Sequence, residues 1–329
     1  MDANQSKPHR RGSRAILFPV RDYDLAATLA SGQAFRWRPV GEIWEGVIAG
    51  HLFRLRQLPE GISAELLGST ASSHAPRTTH HALLRNYLQL DVDLPAVLAA
   101  FPGDAPMRAS VAACRGLRLL RQEPWETLVS FICSSTKQIV QIQQIIALLC
   151  ERFGEPIPVA ADVRRLNANA ERGMRNAEGK SEPPHVGCYP ALAFPTPARL
   201  AAASEADLRA CKMGFRAPFV RAAAKAVASG ELDLNRLYAL PTAEARAALM
   251  GLHGVGRKIA DCVLLFAYGK QDAFPVDVWV RRALTELYFP RRRPSAKRLE
   301  RFANTHFGPN AGYAQQYLFH YVRKLRPEE

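Results

Sequence analysis

Two side chains in this sequence combine a nucleophile with a charge partner: Lys258 in GVGRKIADC (254–262) and Asp277 in PVDVWVRR (275–282). A lysine in the first turn of a helix meets the positive end of the dipole, an unfavourable place for an ammonium. With partial burial, the same position lowers a lysine's pKa and frees the amine as a nucleophile. An unperturbed lysine titrates near pH ~10.4, so an amine available near pH ~7.5 needs about 4 kcal/mol of differential interaction. Lys258 and Cys262 stand four residues apart and share a helix face, while Ile259 and Val263 turn to the core. The turn Gly254-Val255-Gly256 tolerates dihedrals and close approaches that side chains prevent. Its amides and the start of the next helix form a nest for a phosphate oxygen, as expected of a helix-hairpin-helix gripping a DNA backbone. The same residues also fit a plain helix-packing turn and a lysine that only touches phosphate.

Asp277 follows Pro275, which enforces an extended approach, and is placed to cap the next helix. Helix-end amides favour its charged form, so the expectation is an ionised carboxylate. Beside Lys258 it can stabilise positive charge developing on a sugar and hold the amine in line for attack; alone it is a structural cap. Lysine, carboxylate and hairpin together point to chemistry on a nucleotide.

The elements around these residues fall into two regions, an α+β organisation. Residues 1–14 are polar and basic, without the apolar stretch of a secretory signal, and read as a disordered arm. Over 15–110, short period-two segments (AILFPV, AFRWRP, IWEGVI, HLFRLRQ) predict an antiparallel sheet with one buried face. Arg36, Arg38, Arg54 and Arg56 are expected on its solvated face. Over 111–326 the period becomes 3.6 and predicts an all-helical region. Ile139, Ile142, Ile146 and Leu149 make one stripe, and Ser204 with Asp207 a capping-box variant. Helices are expected at 216–229, 242–251, 258–268, 277–287, 296–306 and 311–325, with a polar surface loop at 168–190.

Forty-four Lys and Arg against 30 Asp and Glu leave a net charge of +14, which favours a polyanionic partner, nucleic acid first. The six cysteines form no CxxC pair, so buried thiols are expected rather than zinc or an iron–sulfur cluster. No run reaches the length of a membrane span. These features describe an intracellular protein with no membrane partner.

These motifs resemble the helix-hairpin-helix DNA glycosylases with a Gly/Pro-Asp signature, and within them the 8-oxoguanine glycosylase/lyase family. SGQAFRW, FICSS, MGFRAPFV and FGPNAGYAQQYLF are similar to further segments of that family, in its order, so the resemblance runs from about residue 15 to 326. It implies a monomeric base-excision repair enzyme acting on double-stranded DNA with a damaged base. Lys258 would attack the sugar C1′, expel the base and form a Schiff base for β-elimination, while Asp277 stabilises the oxocarbenium-like charge. The Gly32 carbonyl would accept the N7 proton that distinguishes 8-oxoguanine from guanine. Cys262 and Phe319 would sandwich the flipped base, and Gln315 would bind its Watson–Crick edge. Gly254, Val255 and Gly256 would hold backbone, Phe215 would be the wedge, and Arg216 would touch a phosphate or the facing strand.

The sequence also departs from the family pattern. Thr136, Lys137 and Gln138 replace a row of asparagines that contact the estranged cytosine, and Gln141 replaces an arginine with the same task. Lys137 is then left to contact backbone or cytosine. Trp279 replaces a phosphate-binding histidine and is expected to pack or stack. These changes leave open a different lesion range, formamidopyrimidines included, and a different opposite-base preference; a non-catalytic DNA binder is the remaining alternative. No side-chain metal site or cofactor is implied, although the resemblance allows a monovalent cation at the hairpin carbonyls.

Overall fold

The computed structural model describes residues 15–70, 77–159, 191–292 and 294–326. The expected arm at 1–14, the loop at 168–190 and Cys188 lie outside them.

Alternating residues build the N-terminal sheet. Strands β1 (Ile16–Pro19), β2 (Arg38–Val40), β3 (Ile43–Ile48), β4 (His51–Leu58) and β5 (Gly61–Ser69) pair antiparallel in the order β1-β5-β4-β3-β2. Phe18, Phe53, Leu55 and Ile62 are buried on one face. They share a core with Leu25 and Leu29 of helix α1 (Leu25–Ala30) and with Leu84 and Leu88 of α2 (Arg77–Leu88).

Two expectations for this sheet need correction. AFRWRP does not form a strand before Arg38, because the fully buried Gln33 bends the chain. Its amide nitrogen donates to the carbonyls of Thr28 and Arg118, and its oxygen accepts from the Leu120 amide. The arginines are not a uniformly solvated row either. Arg36 is half-buried in an ion pair with Glu126 at 3.2 Å, and Arg54 pairs across strands with Glu45 at 2.6 Å. Arg56 remains open to solvent.

The helical region has its own, larger core. Helices α3 (Leu94–Ala99) and α4 (Ala105–Ala113) lead into α5 (Pro124–Cys133) and α6 (Ile139–Phe153). The predicted stripe on α6 is inward at Ile142, Ile146 and Leu149, joined by Ile145. After α7 (Pro197–Ala202), the Ser204 hydroxyl caps a helix of one turn, α8 (Glu205–Leu208). The rest of SEADLRACKMG does not continue as regular α-helix. Instead it passes through a π turn in which Lys212 takes φ +61°, then through Gly214 at φ +58°. That kink delivers Phe215 to the surface, 53% exposed, before α9 (Ala217–Ala228).

The remaining helices are α10 (Thr242–Met250), α11 (Arg257–Phe266), α12 (Val278–Tyr288), α13 (Ala296–His306) and α14 (Ala311–Leu325). From Ile259 to Phe266 every residue of α11 is buried, so this helix runs through the core. Phe131 of α5 stacks on Phe266 with centroids 5.4 Å apart. The segment 31–36 joins the two regions: Gln316 of α14 donates to the Ser31 carbonyl at 3.1 Å, and Arg36 reaches α5. No helix among the described residues is long and apolar enough to cross a membrane.

Candidate active site

Three elements end at one place. The C-terminus of α5, the N-terminus of α11 and the start of α12 meet one face of α14, and the 31–36 segment closes the other side. Between them lies a cavity of about 370 Å³, lined by Gly32, Ser134, Lys258, Cys262, Asp277, Trp279, Gln315, Phe319 and Arg323 among others. It falls within the size range of small-molecule and cofactor sites.

Lys258 is half-buried in the first turn of α11, and its Nζ donates to Ser134 Oγ at 3.0 Å. The ammonium also stands 5.4 Å from the centroid of the Phe131 ring. Asp277 caps α12 by accepting from the Val280 amide at 2.8 Å. Burial outweighs that amide and the nearby Lys258 and Arg323, and raises the carboxyl above its ordinary range. The expectation that helix-end amides dominate is therefore corrected: desolvation does. The Cys262 thiol, wholly buried, is pushed up to about 12 and packs as an apolar wall.

Gln315 and Phe319 occupy successive turns of α14 and face the same cavity. Gln315 is 3% exposed, yet its side-chain oxygen has no partner among the described residues. A buried acceptor left unsatisfied is costly and marks a place for a donor. Gly32 takes φ +79°, and a Cβ there would come within 2.7 Å of the Ile139 side chain.

At the hairpin, Gly254 has φ +83° and lies against Phe219, whose ring a Cβ would meet at 2.3 Å. Val255 is buried beneath the turn. Gly256 differs from the expectation that its backbone demands glycine: φ is −87°, and a Cβ would find nothing within 4 Å. It is the N-cap of α11 with no side-chain cap, so the first amides of that helix face an open surface.

On the side of the cavity near α6, Lys137 lines the mouth. Gln141 is exposed, but its oxygen accepts from the Gln138 amide at 3.2 Å. Arg216 does not face outward as a phosphate or strand contact. It is 3% exposed and donates to the Ser135 carbonyl and to Thr136 Oγ1 at 2.7 Å. Trp279 is half-buried at the cavity edge, with the Arg282 guanidinium 5.9 Å from its ring centroid.

Sequence reasoning missed Ser134, which was only part of a quoted segment; Arg323, eight residues beyond Gln315 on the same helix, belongs to HYVRK, a basic stretch that the sequence places at the DNA border without a role in the cavity. It also missed Asp261, 2% exposed, which binds Arg246 of α10 at 2.6 Å and Arg257 at 3.6 Å, tying the hairpin's two helices together. Ionisable residues inside an apolar helical pattern were the available signal for both charged residues.

Comparison with known proteins agrees with this geometry. The family model for the 8-oxoguanine DNA glycosylase N-terminal domain matches residues 15–128, and that for the HhH-GPD superfamily of base excision DNA repair proteins matches 129–309. A probable N-glycosylase/DNA lyase of Methanothermobacter thermautotrophicus is 30% identical, over 93% of this chain and 95% of its own. The N-glycosylase/DNA lyase OGG1 of Arabidopsis thaliana is 28% identical, over 96% of this chain and 82% of its own. Among solved structures, MBOgg1 with a low-affinity DNA ligand superposes with a TM-score of 0.80 at 30% identity, covering 96% of this chain and 97% of its own. The Clostridium acetobutylicum 8-oxoguanine glycosylase/lyase, bound to double-stranded DNA with cytosine opposite 8-oxoG, gives 0.77 at 27%, covering 94% and 98%.

A sheet domain followed by a helix-hairpin-helix bundle, with a lysine and an aspartate in one cavity, defines a base-excision DNA glycosylase/lyase. The chain belongs to the 8-oxoguanine DNA glycosylase family within the HhH-GPD superfamily.

Proposed function

We propose that this enzyme extrudes 8-oxoguanine from duplex DNA into the cavity and removes it with Lys258 as nucleophile. The observation that carries the reading is the Lys258 amine, held by Ser134 at 3.0 Å in the same cavity as Asp277 and the unsatisfied Gln315 oxygen. Extrusion costs a few kcal/mol of unstacking, which stacking between Cys262 and Phe319 offsets, with Phe215 filling the gap in the duplex. Gln315 accepts from the base edge. The Gly32 carbonyl accepts the N7 proton that guanine lacks, and guanine would present a lone pair there instead.

Lys258 must lose a proton before it attacks C1′. As the glycosidic bond breaks, its electron pair leaves with the base, and Asp277 stabilises the positive charge left on the sugar. The secondary amine then opens the sugar to an imine, a proton leaves C2′, and the 3′ phosphate departs by β-elimination. Gly254, Val255, Gly256 and the exposed amides of α11 hold the backbone of the same strand.

Borohydride reduction during the reaction tests the mechanism. It should trap a covalent protein–DNA adduct on an 8-oxoguanine duplex, and Lys258→Ala should abolish the adduct while the duplex still binds. Base release with no trapped species would refute the lysine mechanism. Release of the base by Lys258→Ala with Asp277→Asn would show that the catalytic pair is misassigned.

The opposite-base preference is read separately. Arg216 and Gln141 are both engaged within the protein, which supports a relaxed preference rather than strict cytosine reading. Rates on duplexes with each of the four bases opposite the lesion should then differ little. A strong preference for cytosine would remove this reading and leave the lysine mechanism standing.

A further inference from the structure

Arg323 enters the cavity from α14 one turn beyond Phe319, and its guanidinium carbon lies 5.4 Å from the centroid of the Phe319 ring. The side chain is half-buried, and among the described residues it makes no hydrogen bond and no ion pair. A guanidinium held partly out of water without a geometric partner carries a desolvation cost that a bound anion would offset. Lys258, the other cation deep in this cavity, is engaged with Ser134, and Trp279 on the neighbouring wall brings no charge. Asp277 is close enough for each group to influence the other, yet it spends an oxygen on the α12 cap.

A nucleotide extruded into this cavity brings two phosphates to its mouth. With its base beside Phe319 and its sugar at Lys258, one of them must pass near the outer end of Phe319. A planar guanidinium held beside an aromatic ring offers two parallel N–H groups to phosphate oxygens.

We propose that Arg323 is a substrate-binding residue that grips a phosphate flanking the extruded nucleotide, on the wall where Trp279 supplies no charge. The assignment rests on the reading of the cavity as the seat of that nucleotide.

The test uses duplexes carrying a tetrahydrofuran abasic-site analogue, with a single neutral methylphosphonate placed in turn at each phosphate around the analogue. Binding by wild type, Arg323→Ala and Arg323→Lys is measured for each duplex. Arg323→Ala should weaken binding of the fully charged duplex by about tenfold or more, and Arg323→Lys by less. At one flanking position the methylphosphonate should weaken wild type to a similar degree and Arg323→Ala hardly at all. Additive losses at every position, or a variant that binds as wild type does, would overturn the proposal. The analogue carries no base, so a wrong lesion assignment leaves this measurement untouched. If wild type bound the analogue no better than plain duplex, the cavity reading itself would fall, and Arg323 with it.

Discussion

At the scale of single residues, the site is a set of polar groups denied their usual partners. Asp277 shows the cost. Its carboxyl is raised by burial, so its folded pKa lies above the unfolded one and the charged form opposes folding at neutral pH. That penalty disappears as pH falls through the folded pKa. Asparagine caps a helix as well as aspartate does. Asp277→Asn should therefore melt no lower than wild type at pH 7, and the gap should close under acid. Excision should fall by several orders of magnitude in the same variant. A clear loss of melting temperature at neutral pH would count against the burial argument. With the carboxylate as the working form in the proposed mechanism, the acid limb of the wild-type rate profile should lie above the ordinary carboxylate range.

At the scale of elements, the hairpin separates two uses of glycine. Gly254→Ala forces a left-handed conformation on alanine and drives a methyl group into the Phe219 ring, so it should cost about 1–3 kcal/mol of stability. Gly256→Ala meets no atom of the protein and keeps an ordinary φ. It should leave the melting temperature unchanged and weaken DNA binding, because only an external phosphate needs that space. Chemical denaturation beside equilibrium binding distinguishes the two variants; equal destabilisation of both would show that the turn is purely structural. The Arg246–Asp261 pair fixes the angle between the two helices from inside, so the amides can stay open on the outside.

At the scale of the molecule, a net charge of +14 and the base-contacting wall of Cys262, Gln315 and Phe319 divide the work of recognition. Phosphate contacts release counterions and position the duplex, while the pocket reads the base. Affinities for plain and lesion duplex should both fall steeply with salt, along nearly parallel lines, in titrations by fluorescence anisotropy. A salt-independent affinity for plain duplex would contradict this division. The two regions must also stay in register, since the 31–36 segment lines the cavity from the sheet side. Arg36 and Glu126 cross that seam in a half-buried pair. Glu126→Gln leaves the arginine with the Leu192 carbonyl and should destabilise the fold by about 1–3 kcal/mol, measured by denaturant titration.

Periodicity determined a great deal here. The sheet, the helices of the C-terminal region to within a few residues, and the α6 stripe follow from alternation and 3.6-residue spacing, because burying one face is a local property of each segment. Motif order disclosed Lys258, Asp277 and the hairpin for the same reason: each sits at a helix start with a readable turn before it. What tertiary structure alone decided is which charges turn inward. Arg36 and Arg216 look like solvent-facing cations in sequence, yet both turn inward, half-buried and buried respectively, onto partners that are distant in the chain, Glu126 and the Ser135 carbonyl. Ser134 comes within reach of Lys258 across 124 residues, and Arg323 reaches the cavity because α14 packs beside α12. A side chain's partner is set by what folds against it, and a one-dimensional pattern records only the face on which that side chain stands.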